Sequence, residues 1–225
     1  MKIVIHMSEE LAKRILRCLD VCLRTDSYGR TTRLRDAWYR SHFLNALRRV
    51  ISPALIALKY KISFDMNNIL KLHIGCGTRH FDGYVNIDFR KTRSTDLVCD
   101  IRKLPYPDNS VTLIETYHVI EHLPRHDFPK ALKEWQRVLI TGGKLVIECP
   151  DFDEVVREYV QGNKKRIDNI FGRQRFAGDA HLFGYNFDKL KRLLEEGGFD
   201  DVQNAKPKDY HIIDEPCLRV ECIKK

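Results

Sequence analysis

Leu70-Lys71-Leu72-His73-Ile74-Gly75-Cys76-Gly77, followed by Tyr84-Val85-Asn86-Ile87-Asp88, decides the fold class of this chain. The first run reads as a buried strand that ends in a turn with two glycines. The second reads as another strand ending in a carboxylate. An open α/β sheet builds nucleoside pockets at the carboxyl ends of such strands. Glycine lets the backbone approach a ligand closely, and the acid accepts hydrogen bonds from ribose hydroxyls. The third glycine of a dinucleotide fingerprint is missing, because Gly83 lies too far on and no helical run follows it. Asp88 stands only 11 residues after Gly77. The first crossover must therefore be abbreviated, which disfavours a nicotinamide dehydrogenase.

Downstream, apolar runs alternate with helical periodicity, the pattern of a largely parallel sheet. Strands are expected at 71–75, 84–88, 96–99, 111–116 and 144–149, with two short ones at 199–204 and 217–223. Helices are expected at 127–139, 152–170 and 187–196. The first carries Ala131, Leu132, Trp135, Val138 and Leu139 on one face; the last is capped by Asn186 and ended by Gly197-Gly198. Thr141-Gly142-Gly143 is expected to turn the chain back into the strand from Lys144. A second acid, Asp100, follows the third strand and precedes Ile101 and Leu104-Pro105-Tyr106-Pro107-Asp108-Asn109-Ser110. At such a position a carboxylate accepts from an exocyclic amine, and the next backbone N–H reaches a ring nitrogen. Gly75, Gly77, Asp88 and Asp100 at successive strand ends outline an adenosine-shaped site.

These residues resemble the class I S-adenosylmethionine-dependent methyltransferases, and most closely the compact group linked to surface-polysaccharide gene clusters. The resemblance rests on His73-Ile74-Gly75-Cys76-Gly77, Val85-Asn86-Ile87-Asp88, Asp100 with Leu104 to Ser110, His118-Val119-Ile120-Glu121-His122-Leu123, and Leu139-Ile140-Thr141-Gly142-Gly143. It covers about residues 68–225. It implies a Rossmann-like sheet of seven strands, mostly parallel with an antiparallel last hairpin, and S-adenosyl-L-methionine as cofactor. Gly75, Cys76 and Gly77 would border its methionine part, Asp88 its ribose, and Asp100 with Ile101 its adenine. Tyr117 and His118 follow the fourth strand, where the family places residues beside the transferred methyl.

The sulfonium already activates that methyl, so the protein chiefly aligns the acceptor, and a base removes its proton. Tyr117, His118 and His181 are the candidate catalytic groups. His122 is weighed as packing its helix. His181 lies in Gly178-Asp179-Ala180-His181-Leu182-Phe183-Gly184-Tyr185, a loop placed to close over the acceptor. Glu148-Cys149-Pro150-Asp151 is expected to line the same cleft, with Asp151 capping the next helix. His118, Glu121 and His122, with His181 as a distal ligand, approach the E-x-x-E-H metal motif of small-RNA 2′-O-methyltransferases and some quinone-pathway methyltransferases. His118 replaces the first Glu of that motif, and the expectation here is a metal-free site. Seven irregularly spaced cysteines argue against a disulfide framework. Cys18 and Cys22 sit one turn apart without a third partner, so free thiols are expected.

The charge of +8 is uneven: residues 1–69 carry 13 Lys+Arg against 6 Asp+Glu, and residues 70–225 carry 26 against 25. Residues 1–68 are expected to form a basic helical extension, with helices over 8–24 and 34–49, a short apolar piece after Pro53 and a linker at 65–68. Residues 69–225 are expected to form the S-adenosylmethionine-binding methyltransferase domain. The extension reads as a cap on the sheet, or as a contact with an anionic membrane or a polyanion. No apolar run reaches the roughly 20 residues that span a bilayer. The start is a poor signal peptide, so a cytoplasmic place is expected, with contact at the inner membrane face through the extension. The acceptor class implied is a glycan or lipid-linked saccharide precursor carrying O or N. Two readings compete with it: an RNA methyltransferase whose Arg30, Arg33, Arg35, Arg40, Arg48 and Arg49 hold phosphates, and a scaffold that keeps the pocket without catalysis.

Overall fold

Strand β1, Lys71–Ile74, is buried from Leu72 onward, because parallel neighbours flank it on both sides: β2 (Val85–Asp88) and β4 (Val111–Tyr117). The computed structural model describes residues 70–225. The helices expected over 8–24 and 34–49, the apolar piece after Pro53, the 65–68 linker and the boundary at 68/69 lie outside the described residues. With β3 (Leu97–Val98), β5 (Leu139–Pro150), β6 (Phe199–Ala205) and β7 (Cys217–Lys224), the sheet has the order β3-β2-β1-β4-β5-β7-β6. β1 to β5 run parallel, and β7 is antiparallel to both β5 and β6. The seven-stranded sheet with an antiparallel last hairpin is therefore present as expected. The strand order reverses between β1 and β4, and that switch point opens a crevice at the strands' carboxyl ends.

Helix α1, Phe128–Val138, buries Phe128, Ala131, Leu132, Trp135 and Val138. Their spacing of three and four residues makes one apolar stripe against the sheet. Trp135 is fully buried, and its indole Nε1–H donates to the carbonyl of Ile101 at 3.0 Å. The core helix thus fixes a backbone segment at the crevice. Helix α2 spans Phe152–Val160; its Asp151 cap accepts from Glu154 N at 3.4 Å. The single helix expected over 152–170 does not form. Gly162 adopts φ +109°, the chain passes through a 3-10 turn at Lys164–Arg166, and α3 is only Ile167–Phe171. Helix α4, Phe187–Glu196, is capped by Asn186, which accepts from Lys189 N at 2.9 Å.

Thr141-Gly142-Gly143 also departs from its expected turn. It lies inside β5, where Val111 pairs with Leu139 but Leu113 pairs with Lys144, so the intervening residues bulge out. Gly142 at φ +76° supplies the bend. β3 is two residues long, shorter than the expected 96–99, and Asp100 stands beyond its end.

Candidate functional site

The crevice is a cavity of about 940 Å³ that runs from Asp100 and Arg102 at one end to His211 and Glu215 at the other. Its first wall is the turn after β1. Gly75 sits at φ +73°, and a Cβ there would meet Val119 Cγ2 at 2.0 Å, so only glycine fits. Gly77, at φ +52°, has nothing within 4 Å of a would-be Cβ, which leaves its face open to the cleft. Asp88 binds the turn: one carboxylate oxygen accepts from Gly77 N at 2.8 Å and the other from Arg90 N at 2.9 Å. A bare glycine face, a buried acid beside it and the open cleft fit the methionine and ribose parts of the expected cofactor. Cys76 contributes backbone only, since its Sγ turns away toward Thr95 Oγ1 at 3.7 Å. Asp100 and Ile101 line the far end. Asp100 is half-exposed and both of its oxygens accept from Arg102, whose guanidinium also bridges to Asp127 at 2.5 Å. This pairing holds the Asp100 carboxyl below the usual carboxylate range.

The abbreviated first crossover is organised by Asn86, which is fully buried on β2. Its Oδ1 accepts from Phe81 N and from His73 Nδ1, while its Nδ2 donates to Phe81 O and Asp96. His73 stacks on Phe81 with centroids 3.9 Å apart. Burial holds the His73 imidazole down near 4, against the smaller opposing effect of the Asn86 hydrogen bond.

The other end is built from side chains. His118 leaves β4 in the left-handed region at φ +54°, with its N–H on Glu148 O at 2.8 Å. Its Nδ1 stands 3.3 Å from Glu121 Oε1 and 3.5 Å from Glu215 Oε1, and its Nε2 3.7 Å from Cys217 Sγ. Burial opposes its charge, yet the Cys217, Glu121 and Glu215 contacts raise its pKa well above the ordinary value. The His211 ring lies 3.9 Å from that of His118. His211 Nδ1 contacts Asp209, and Asp209 also pairs with Arg79 from the first turn. Asp209 is buried; burial opposes its charge, but the His211 and Arg79 contacts depress its pKa.

Glu148 does not line the cleft as expected. It is fully buried behind it, where it accepts from Lys208 N at 3.1 Å, Asp209 N at 2.8 Å and Arg219 Nη1 at 3.1 Å. It thereby fixes the loop that presents Asp209 and His211. Tyr117 presents its ring edge to Phe81 at 5.7 Å and lines the cleft. Its hydroxyl is engaged by Arg219, and burial raises its pKa.

His181 and His122 do reach the same cleft. The loop carrying His181 is fixed by Leu182 N and Phe183 N, which donate to Glu121 O at 2.7 and 3.2 Å. On its other side Gly178 packs on Phe89, and Phe176 receives the Arg90 guanidinium 3.5 Å from its centroid. The loop therefore spans from the acceptor end to the cofactor end. Sequence reasoning missed Arg79, Asp209, His211 and Glu215. The only available signal was Asp209-Tyr210-His211, a spacing too common to stand alone.

Residues 72–147 match the model of a methyltransferase domain. An uncharacterized protein of Methanocaldococcus jannaschii is 26% identical over 169 residues, which cover 67% of this chain and 72% of that protein. A probable S-adenosylmethionine-dependent methyltransferase of Mycobacterium tuberculosis is 31% identical over 113 residues, which cover 50% of this chain and 35% of that protein. This chain thus spans about a third of the mycobacterial relative's length. A SAM-dependent methyltransferase from Archaeoglobus fulgidus is similar in structure, with a TM-score of 0.48 at 15% identity, covering 84% of this chain and 100% of that one.

Proposed function

The chain carries a class I S-adenosylmethionine-dependent methyltransferase domain, and from that premise we propose that it methylates an oxygen or nitrogen of a glycan or lipid-linked saccharide precursor. The observation that carries this reading is the contrast within one cleft. One end is a glycine-and-carboxylate cradle; the other presents imidazoles and paired charges, with Tyr210 half exposed beside Arg79 and Arg173 beside Asp214. Charged hydrogen-bonding groups interleaved with a ring face suit a polyhydroxylated acceptor better than an apolar one.

The cofactor, when bound, supplies an activated methyl on a sulfonium. Gly75 and Gly77 would let it approach closely, Asp88 and Asp100 would hold its sugar and base, and Tyr117 would form a wall of its site. The acceptor proton goes to His211. Asp209, a buried carboxylate, orients the His211 ring through Nδ1, which leaves Nε2 as the proton-accepting atom. His211→Gln is expected to lower kcat on the order of 10²–10⁴-fold while cofactor affinity holds. An unchanged kcat removes His211 as the base.

Among the described residues no helix is long and apolar enough to cross a membrane. Residues 1–68, with their excess of Lys and Arg, supply the contact with an anionic membrane face where such precursors are carried. Methyl-labelled cofactor incubated with separated saccharide, lipid-linked saccharide and RNA fractions tests the acceptor. Label entering a saccharide fraction supports the proposal; label confined to RNA overturns it.

A further inference from the structure

The 3-10 turn Tyr210–Ile213 carries two isoleucines that buried polar neighbours hold out of the core. On one side Asp209 accepts from His211 N at 3.2 Å, and on the other Glu215 N donates to His211 O at 2.9 Å. Asp209 and Glu215 are both buried, whereas Ile212 is half-exposed and Ile213 is 84% exposed. The neighbouring loops follow suit. Among the described residues, eight of the twelve large apolar side chains left exposed fall in three segments, 89–93, 161–184 and 206–216. These segments meet around the open side of the cleft. The Arg90 guanidinium lies 3.5 Å from the Phe176 centroid, and Arg173 Nη2 lies 3.6 Å from Asp214 Oδ2. Phe89, Phe176 and Tyr210 are exposed and line the cavity as well, so they form its rim. Apolar surface gathered in this way marks an interaction site. Charge gathers with it: the three segments carry 10 Lys+Arg against 5 Asp+Glu, and the rest of residues 70–225 carries 16 against 20.

We infer that this rim docks on an anionic lipid bilayer, with the cleft open toward the headgroups. Isoleucine and phenylalanine tips enter the acyl boundary, while Lys and Arg stay among the headgroup phosphates. A nucleic acid would meet the basic groups but gain nothing from bare isoleucines. Protein interfaces shed lysine relative to the surrounding surface, and this rim is rich in it at Lys91, Lys164, Lys165, Lys206 and Lys208. Residues 1–69, with 13 Lys+Arg against 6 Asp+Glu, carry the same sign of charge and are not its complement. The contact is therefore a second one, made by the catalytic domain itself. One consequence rests on the acceptor reading above: a lipid-linked saccharide enters the cleft directly from the headgroup layer.

The full chain is mixed with vesicles of phosphatidylcholine, alone or with phosphatidylglycerol, made with and without brominated acyl chains. Ile213→Trp places an indole on the rim. Ile223→Trp places one at the opposite end of the sheet, where Ile223 pairs with Lys144. Trp38 and Trp135 are common to every sample, and the parent chain supplies their emission for subtraction. Bromine is expected to quench the added emission of Ile213→Trp on phosphatidylglycerol vesicles and to spare that of Ile223→Trp. Ile213→Asp is expected to weaken partition onto those vesicles about tenfold, the scale of one isoleucine withdrawn from apolar surroundings. Circular dichroism checks that each variant is folded. Emission that stays unquenched, even where the chain pellets with vesicles through residues 1–68, overturns the proposal and leaves the rim to a protein occupant. Equal quenching of the two tryptophan variants, or quenching as strong on phosphatidylcholine alone, overturns it too. So does partition of Ile213→Asp equal to that of the parent. No acceptor enters this assay, so its failure leaves methyl transfer to a saccharide standing, and label confined to RNA leaves the bilayer contact standing.

Discussion

The two ends of one cleft are built by different means. The cofactor end comes from residues 75–101, a continuous stretch in which backbone turns, glycines and two acids do the holding. The acceptor end draws His118, His122, His181, His211 and Glu215 from three separated segments. Backbone geometry depends on local sequence; a side-chain cluster depends on which distant loops the sheet brings together. The antiparallel pairing of β7 with β5 sets Pro150 opposite Cys217, and so brings the 206–216 loop beside His118. The difference makes the first end locally specified and the second dependent on a few buried anchors.

Removing such an anchor is expected to have the largest effect. Glu148→Ala takes one of two carboxylates from Arg219, which is 4% exposed and keeps Glu221 at 2.7 Å, and frees the Lys208 and Asp209 amides. Breaking a buried pair on one side costs about 3–5 kcal/mol. A fall of that size in unfolding free energy is expected by denaturant titration, with acceptor turnover lost and cofactor affinity retained in the folded fraction. If cofactor binding falls in parallel, the two ends are not separately held.

At the other end the anchor is His73, and its signature is pH. Its folded-state pKa is near 4 against an ordinary 6.5, so the folded chain disfavours the charged ring. Its contribution is full above pH 6.5 and is lost as pH falls from 6.5 through 4. A difference of this size corresponds to about 3 kcal/mol. Melting curves between pH 7 and 4 check this, with His73→Phe expected to lower the pH slope. An identical slope in the variant assigns the acid sensitivity to other groups.

Legibility followed the same division. Gly75, Gly77 and Asp88 were readable because a strand, a turn needing positive φ and a terminal carboxylate are successive in the chain. The short gap to Asp88 correctly announced a helix-free crossover, although nothing in it marked Asn86 as the group that satisfies that loop's polar atoms. Helix 152–170 was misread because apolar periodicity resumes after Gly162, while the backbone there bends to φ +109°. Glu148 looked like a cleft residue because it stands near the end of β5 as Asp88 stands at the end of β2. It pairs with Tyr117 and shares its face of the sheet, but the loop carrying Lys208 and Asp209 folds over its carboxylate and shuts it off from the cleft, which one strand does not reveal. Asp209 and His211 carried no periodicity, and only the folded loop shows them together.

The smallest expected effect concerns the two acids that the sequence treats alike. Asp88 is 4% exposed and holds the Gly77 amide, so Asp88→Ala removes charged hydrogen bonds of about 1.5–3 kcal/mol each and unfastens the turn. Asp100 is half-exposed and already satisfied by Arg102, a pair whose stabilising contribution is about 0–1 kcal/mol. Any adenine amine it accepts from competes with that guanidinium. Asp100→Ala is therefore expected to weaken S-adenosylmethionine binding by less than about fivefold, and to leave stability nearly unchanged. Calorimetry on both variants decides the order. An Asp100→Ala loss as large as that of Asp88→Ala means that Arg102 releases the carboxylate on binding. The cofactor end would then share the rearranging, side-chain-built character of the acceptor end.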